Sequence, residues 1–136
     1  MTQTLKRNDL VYPELSYEIV GCAFELIKEI GAGHKESVYQ NGLKLVLEKK
    51  KISFKEQVFY PVKFEGKTIG KNFFDFLVDE KVVVEIKRNL HFSKAHIDQV
   101  LNYLKVSDLK LAILINFGSE GVTFKRIVNV NNTPVS

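Results

Sequence analysis

Cysteine is nearly absent: the 136-residue chain has one, Cys22. A single thiol cannot form a disulfide framework within the chain or build a cysteine-rich zinc site. Flanked by Gly21 and Ala23 in an apolar helical stretch, Cys22 reads as a small packing residue rather than a nucleophile. Long apolar runs are missing as well. No stretch approaches the ~20 residues needed to cross a bilayer. Met1 to Asp9 is polar and contains nothing like a signal-peptide core. A cytoplasmic protein with no membrane partner is therefore expected. Internal repeats and low-complexity linkers are also lacking. The expectation is one domain over residues 1–136, flexible at 1–12 and 130–136.

What is present suits a folded α/β protein. With 45% hydrophobic and 26% charged residues, the chain can build a core, which excludes overall disorder. A net charge of +4 is compatible with a polyanion partner but selects none. Residues 13 to 30 have helical spacing, with Pro13 in the first turn, Glu14 beside it, and Leu15, Ile19, Cys22, Leu26 and Ile30 on one side. Gly31 stops this helix, and a second runs from about His34 to Lys50. The period then changes. Phe54 to Phe64 and Thr68 to Val78 read as strands around Gly66, and Val82 to Lys87 is a β-branched strand with a charged end. Ser93, a candidate N-cap, opens a helix to Val106. Lys110 to Phe117 is apolar throughout, as a strand buried on both faces requires, and Val122 to Val130 adds an edge strand. The order predicts a layered α/β domain, with an antiparallel meander continued through a helical crossover.

Charged residues interrupt this pattern at three places. Asp75 lies between Phe74 and Phe76, and strand alternation puts it on one face with Phe73 and Leu77. Glu85 and Lys87 share a face with Val83. If Asp79-Glu80-Lys81 is the hairpin loop, Val78 pairs with Val82 and Asp75 stands opposite Glu85. Directly opposed Cβ atoms lie about 4.5–5.5 Å apart, so the two carboxylates repel. A divalent cation with hard oxygen ligands relieves that repulsion better than Lys87 alone. The competing reading is a wet strand face with a Glu85–Lys87 surface pair, since an Asp followed by Glu-x-Lys often arises by chance.

Other residues carry similar alternatives. Glu36 shares a helix stripe with Tyr39 and Leu43, which suits either a site carboxylate or an acid complementing the helix dipole. Gln99 and Tyr103 form an i, i+4 pair, beside a core side of Ile97, Val100, Leu101 and Leu104. They are candidate substrate contacts, or simply a polar helix edge. His96, one turn before Gln99 on the same face, is a candidate to approach a substrate but reads first as a polar surface residue, as does His91. Lys49, Lys50, Lys51 and Lys55 suit a phosphate backbone or a solvated helix end.

Taken together, the segments resemble a known family. Gly33-His34-Lys35-Glu36-Ser37-Val38-Tyr39 is similar to the motif that names the GxxExxY family. The resemblance continues through Phe74 to Asp79, Val84 to Lys87, Gln99 to Leu104 and Leu114 to Phe117, covering roughly residues 15 to 128. Two departures stand out. Phe73 replaces a basic residue, and His34-Lys35 replaces an apolar pair. The family is placed in the PD-(D/E)XK nuclease superfamily, whose core order of helix, three strands, helix and strand fits the pattern above. The resemblance implies Mg²⁺, with Mn²⁺ as a substitute, held by Asp75, Glu85 and the Ile86 carbonyl, with Glu36 completing the shell. It makes Lys87 the catalytic lysine, and likens Gln99 and Tyr103 to the Gln-x-x-x-Tyr motif of RecB-type nucleases. The implied activity is phosphodiester hydrolysis of nucleic acid, with DNA ranked ahead of RNA. The alternative is a catalytically silent nucleic-acid-binding or protein-interaction module. A homodimer or a protein partner is a further option for so small a domain.

Overall fold

The computed structural model describes residues 11–88 and 92–130. The expectations for His91, residues 1–10 and residues 131–136 fall outside them. Pro13 opens helix α1 (Pro13–Ile30), where its missing N–H leaves no helical bond unmade. Gly31 ends α1 at φ 79, its N–H donating to the Ile27 carbonyl at 2.8 Å. The buried face of α1 holds Ile19, Cys22, Ala23 and Leu26. Burial pushes the Cys22 thiol up to about 11, which fits packing and not nucleophilic chemistry. Helix α2 (Glu36–Lys49) starts later than the spacing predicts, because Lys35 is still extended at ψ 156. A Cβ on Gly42 would meet the Leu26 side chain at 2.6 Å, so a glycine there lets α2 lie close on α1.

Five strands form one sheet in chain order: β1 (Phe54–Phe64), β2 (Lys67–Val78), β3 (Val82–Arg88), β4 (Leu111–Gly118) and β5 (Gly121–Val128). Neighbours are antiparallel except β3 and β4, which run parallel and are joined through helix α3 (Lys94–Ser107). This is the α/β layered architecture that the sequence order predicts, including the extra N-terminal helix and the edge strand. As expected for buried parallel strands, Val82, Val83, Val84, Ile86 and all of Leu111 to Ile115 are fully buried. Truncating one of these larger side chains to alanine costs about 2–5 kcal/mol.

The core has two layers. On the side of α1 and α2, Ile19, Leu43 and Leu47 pack with Phe76, Val84, Ile113 and Ile115. On the side of α3, Val100 and Leu104 pack with Phe74, Val83, Ala112 and Leu114. Tyr39 stacks on Phe117 at 4.3 Å and donates its hydroxyl to the Gly31 carbonyl at 2.7 Å. That contact fixes the start of α2 near the C-terminal end of β4. Among the described residues, no helix is long and apolar enough to cross a membrane.

Candidate metal centre

The loop Asp79-Glu80-Lys81 turns β2 into β3, with Asp79 and Glu80 left-handed and the Lys81 N–H on the Val78 carbonyl. The pairs Val78–Val82, Leu77–Val83 and Phe76–Val84 give the register that the hairpin count predicts. One step further along, Asp75 comes opposite Glu85. There the backbone pairing stops. The Asp75 N–H donates to Glu85 Oε1 at 2.9 Å, and the Ile86 N–H donates to Asp75 Oδ2 at 2.8 Å. Two carboxylates have taken the place of ladder carbonyls, so the strands are held together at this point by acid side chains.

The same position corrects the expected strand faces. Phe76 and Val78 belong to the α1/α2 layer, whereas Phe74 and Leu77 both belong to the α3 layer. Alternation therefore breaks between Phe74 and Phe76, and Phe73 does not share a face with Asp75 and Leu77. The cause lies in both strands of the hairpin. Gln57 is left-handed at φ 52, and the β1–β2 pairing skips the Gln57–Asp75 position. The hairpin rolls there, which turns the Asp75 carboxylate toward the amide of the neighbouring strand.

Burial then sets the electrostatics. Glu85 is only 7% exposed and Asp75 is half-buried. Loss of water raises both carboxyl pKa values, and the nearby Asp75 charge adds to the shift on Glu85. Glu85 is pushed up to about 8, while Asp75 rises against the opposing pull of the Ile86 amide. The two carboxyl groups act on each other in opposite directions, Glu85 lowering the Asp75 value and Asp75 raising the Glu85 value. Lys87, two residues beyond Glu85, lowers both values electrostatically. Among the described residues it makes no ion pair within 4.0 Å.

Helix α3 supplies the opposite wall. Ser93 caps it as predicted, accepting the His96 N–H at 3.0 Å. His96 is not the surface residue its isolation in the sequence suggests. Its Nε2 lies 3.7 Å from Glu85 Oε2, buried and without a hydrogen-bond partner among the described residues. Burial, helped by the Lys87 charge, pushes its pKa down and favours the neutral imidazole. Its position one turn before Gln99 was the only sequence signal for this placement. Gln99 follows half-buried, and Tyr103 is packed against Tyr60 and Phe74, with centroids 5.1 and 5.0 Å away. Glu36 opens α2 half-buried. Among the described residues, no three His, Cys, Asp or Glu side chains gather tightly enough for a metal, so Glu36 does not form such a group with Asp75 and Glu85.

The lysine cluster is partly neutralised. Lys49 and Lys50 pair with Glu25 at 2.6 and 3.2 Å, and Lys55 pairs with Glu80 at 3.1 Å. These contacts favour the solvated-face reading over a row of phosphate-binding cations.

Residues 13–127 match the family model of the PD-(D/E)XK nuclease superfamily. The chain belongs to that superfamily. The five-stranded sheet with its three helices agrees with the superfamily's nuclease-like fold. No curated protein matches the sequence. Among solved structures, the chain is similar to the crystal structure of SSO0001, at 20% identity and a TM-score of 0.48. The likeness covers 96% of this chain and 61% of the other, so this chain spans less than two thirds of that protein's length.

PD-(D/E)XK nucleases usually use divalent metals, and the residues present fit such an ion. Asp75 and Glu85 offer hard carboxylate oxygens at one point, and their raised proton affinity marks a place where positive charge is wanted. The His96 Nε2 beside them is a buried polar atom with no hydrogen-bond partner among the described residues. Two carboxylates are few for a closed cage. They suit an ion that keeps waters or substrate oxygens in its other positions.

Proposed function

We propose that this PD-(D/E)XK protein is a metal-dependent nuclease that hydrolyses phosphodiester bonds in nucleic acid. The observation that carries the reading is the buried, opposed Asp75–Glu85 pair, set where β2 and β3 stop pairing. In this reading Asp75 and Glu85 hold Mg²⁺, for which Mn²⁺ substitutes, with the Ile86 carbonyl as a further oxygen. Glu36 contributes directly or through water. Such an ion would polarise a phosphoryl oxygen and lower the pKa of an attacking water. Lys87 would offset the charge that develops on the phosphoryl group, as a preorganised cation does best in a water-poor site. Gln99 would hydrogen-bond a phosphate oxygen or orient Lys87, and Tyr103 would donate to a phosphate from its place in the aromatic cluster. The GxxExxY resemblance supports the same assignment of roles.

The test is a Mg²⁺ and Mn²⁺ titration with labelled single- and double-stranded DNA and RNA, run on wild type and Asp75→Asn. Wild type should cut at least one substrate only with metal, and metal should raise its melting temperature, since it binds the folded state alone. Asp75→Asn should lose cleavage and most of the thermal shift. An undiminished metal response in Asp75→Asn would sink the shared-site reading. Binding of nucleic acid without cleavage would leave a silent module.

A further inference from the structure

We propose that the outer face of the β1–β2 arm, centred on Phe59 and Phe73, is a stacking surface for single-stranded nucleic acid. The proposal deepens the nuclease reading and rests on it for the position of the reacting phosphate near Asp75. β1 and β2 pair along almost their whole length, but among the described residues β2 pairs with β3 only at Phe76, Leu77 and Val78. Residues 58–74 therefore extend past the sheet as a two-stranded arm. One face of the arm is anchored. Tyr60 and Phe74 are buried against α3, and the Asn102 amide donates to the Tyr60 hydroxyl at 2.6 Å.

The opposite face is uncovered. Phe59 and Phe73 are directly paired across the strands, their ring centroids 5.5 Å apart, and each is about half exposed (48% and 49%). The next pair on that face is Pro61 with Lys71; past a register shift, exposed Lys63 pairs with Thr68, while Lys67 pairs with Phe64 in the adjacent row, which faces the other way. Phe64 and Ile69 are exposed there as well. Adjacent half-exposed rings on a rigid arm carry a cost in water that a binding partner would remove.

Charge points to the partner. Residues 58–74 hold Lys63, Lys67 and Lys71 against Glu65 alone, three positive charges to one negative. Aromatic rings interleaved with lysines are how proteins hold unpaired strands, the rings taking base faces and the cations taking phosphates. A duplex hides its base faces in the stack and offers these rings nothing. Phe73 is two residues along β2 from Asp75, roughly 7 Å at strand rise. The two lie on opposite faces, so a strand stacked on the rings would pass over the edge of the arm to reach the carboxylate pair.

The chain contains no tryptophan, so Phe73→Trp introduces a single tryptophan on this face that can be excited apart from the tyrosines. Titration with a single-stranded oligonucleotide, in metal-free buffer with chelator, should quench it saturably. DNA and RNA arms would show which polymer is preferred. A duplex of the same sequence should bind at least tenfold more weakly. Phe59→Ala with Phe73→Ala should weaken single-strand binding roughly tenfold or more, the scale of losing stacked bases, with the melting temperature unchanged. Absent quenching, or equal affinity for duplex and single strand, would overturn the proposal. So would a dimer-to-monomer change in the double variant without a loss of oligonucleotide affinity, which would make this face a contact between two copies. Ring-dependent binding with no cleavage in Mg²⁺ or Mn²⁺ would support the surface while defeating the nuclease reading. Cleavage indifferent to the rings would do the reverse.

Discussion

Lys87→Ala should lower the single-turnover cleavage rate by roughly 10²–10³, the usual loss for one preorganised electrostatic group. It should do so without abolishing metal-induced stabilisation. Lys87 lies at the half-buried end of β3, paired across the ladder with Asn116, and contributes little to the core. Its charge reaches Asp75, Glu85 and His96 without a close ion pair among the described residues. Removing that charge takes away a competitor for the carboxylates, so the thermal shift with Mn²⁺ should be retained or increased. Equal cutting by wild type and variant would mean that the activity is not this protein's. A lost metal response would instead make Lys87 part of what shapes the acid pair.

Glu85→Gln should have the largest effect on stability, and the effect should depend on pH. In the fold Glu85 is pushed up to about 8, far above an ordinary carboxylate, so folding favours its protonated form. The stability this gives the metal-free protein is fully present below about 4.3, the unfolded value, and is lost as pH rises through the folded one. Each tenfold change in proton affinity is worth about 1.4 kcal/mol, which puts the loss on the order of 5 kcal/mol. Glutamine keeps the shape and can still accept the Asp75 N–H, but it never charges. At alkaline pH the metal-free variant should therefore melt on the order of 10 °C higher than wild type. Near pH 5 the two should converge, as glutamine is then replacing an already neutral acid. Saturating Mn²⁺ should stabilise only wild type. Parallel melting curves across the pH range would contradict the buried-acid account.

Much of this was legible because the relevant signals are local. Pro13 and Gly31 bracket α1, the β-branched run marks β3, and the apolar run marks β4. The three-residue loop fixed the register that brings Asp75 opposite Glu85. What escaped the sequence depends on distant residues or on rare backbone geometry. Gln57 gives no hint of its left-handed conformation, since Asn, Asp and His are the non-glycine residues enriched there. Without that roll, simple alternation puts Phe73 on the wrong face. His96 acquires its place only when α3 packs over β3, a tertiary fact with no local pattern. The Lys49 and Lys50 partner, Glu25, lies on another helix, so a run of lysines looked freer in sequence than it is in the fold.

The most direct test of the acid pair as a cation site is a calorimetric titration of Mn²⁺ into metal-free protein near pH 7. Repeating it in buffers of different ionisation enthalpy counts the protons released. Glu85, with its value near 8, holds a proton at that pH and must give it up to coordinate a metal. Close to one proton should be released per cation, declining as pH rises past 8, with no such binding in Asp75→Asn. Tight binding without proton release, or binding that Asp75→Asn leaves intact, would place the cation elsewhere and contradict the acid-pair site.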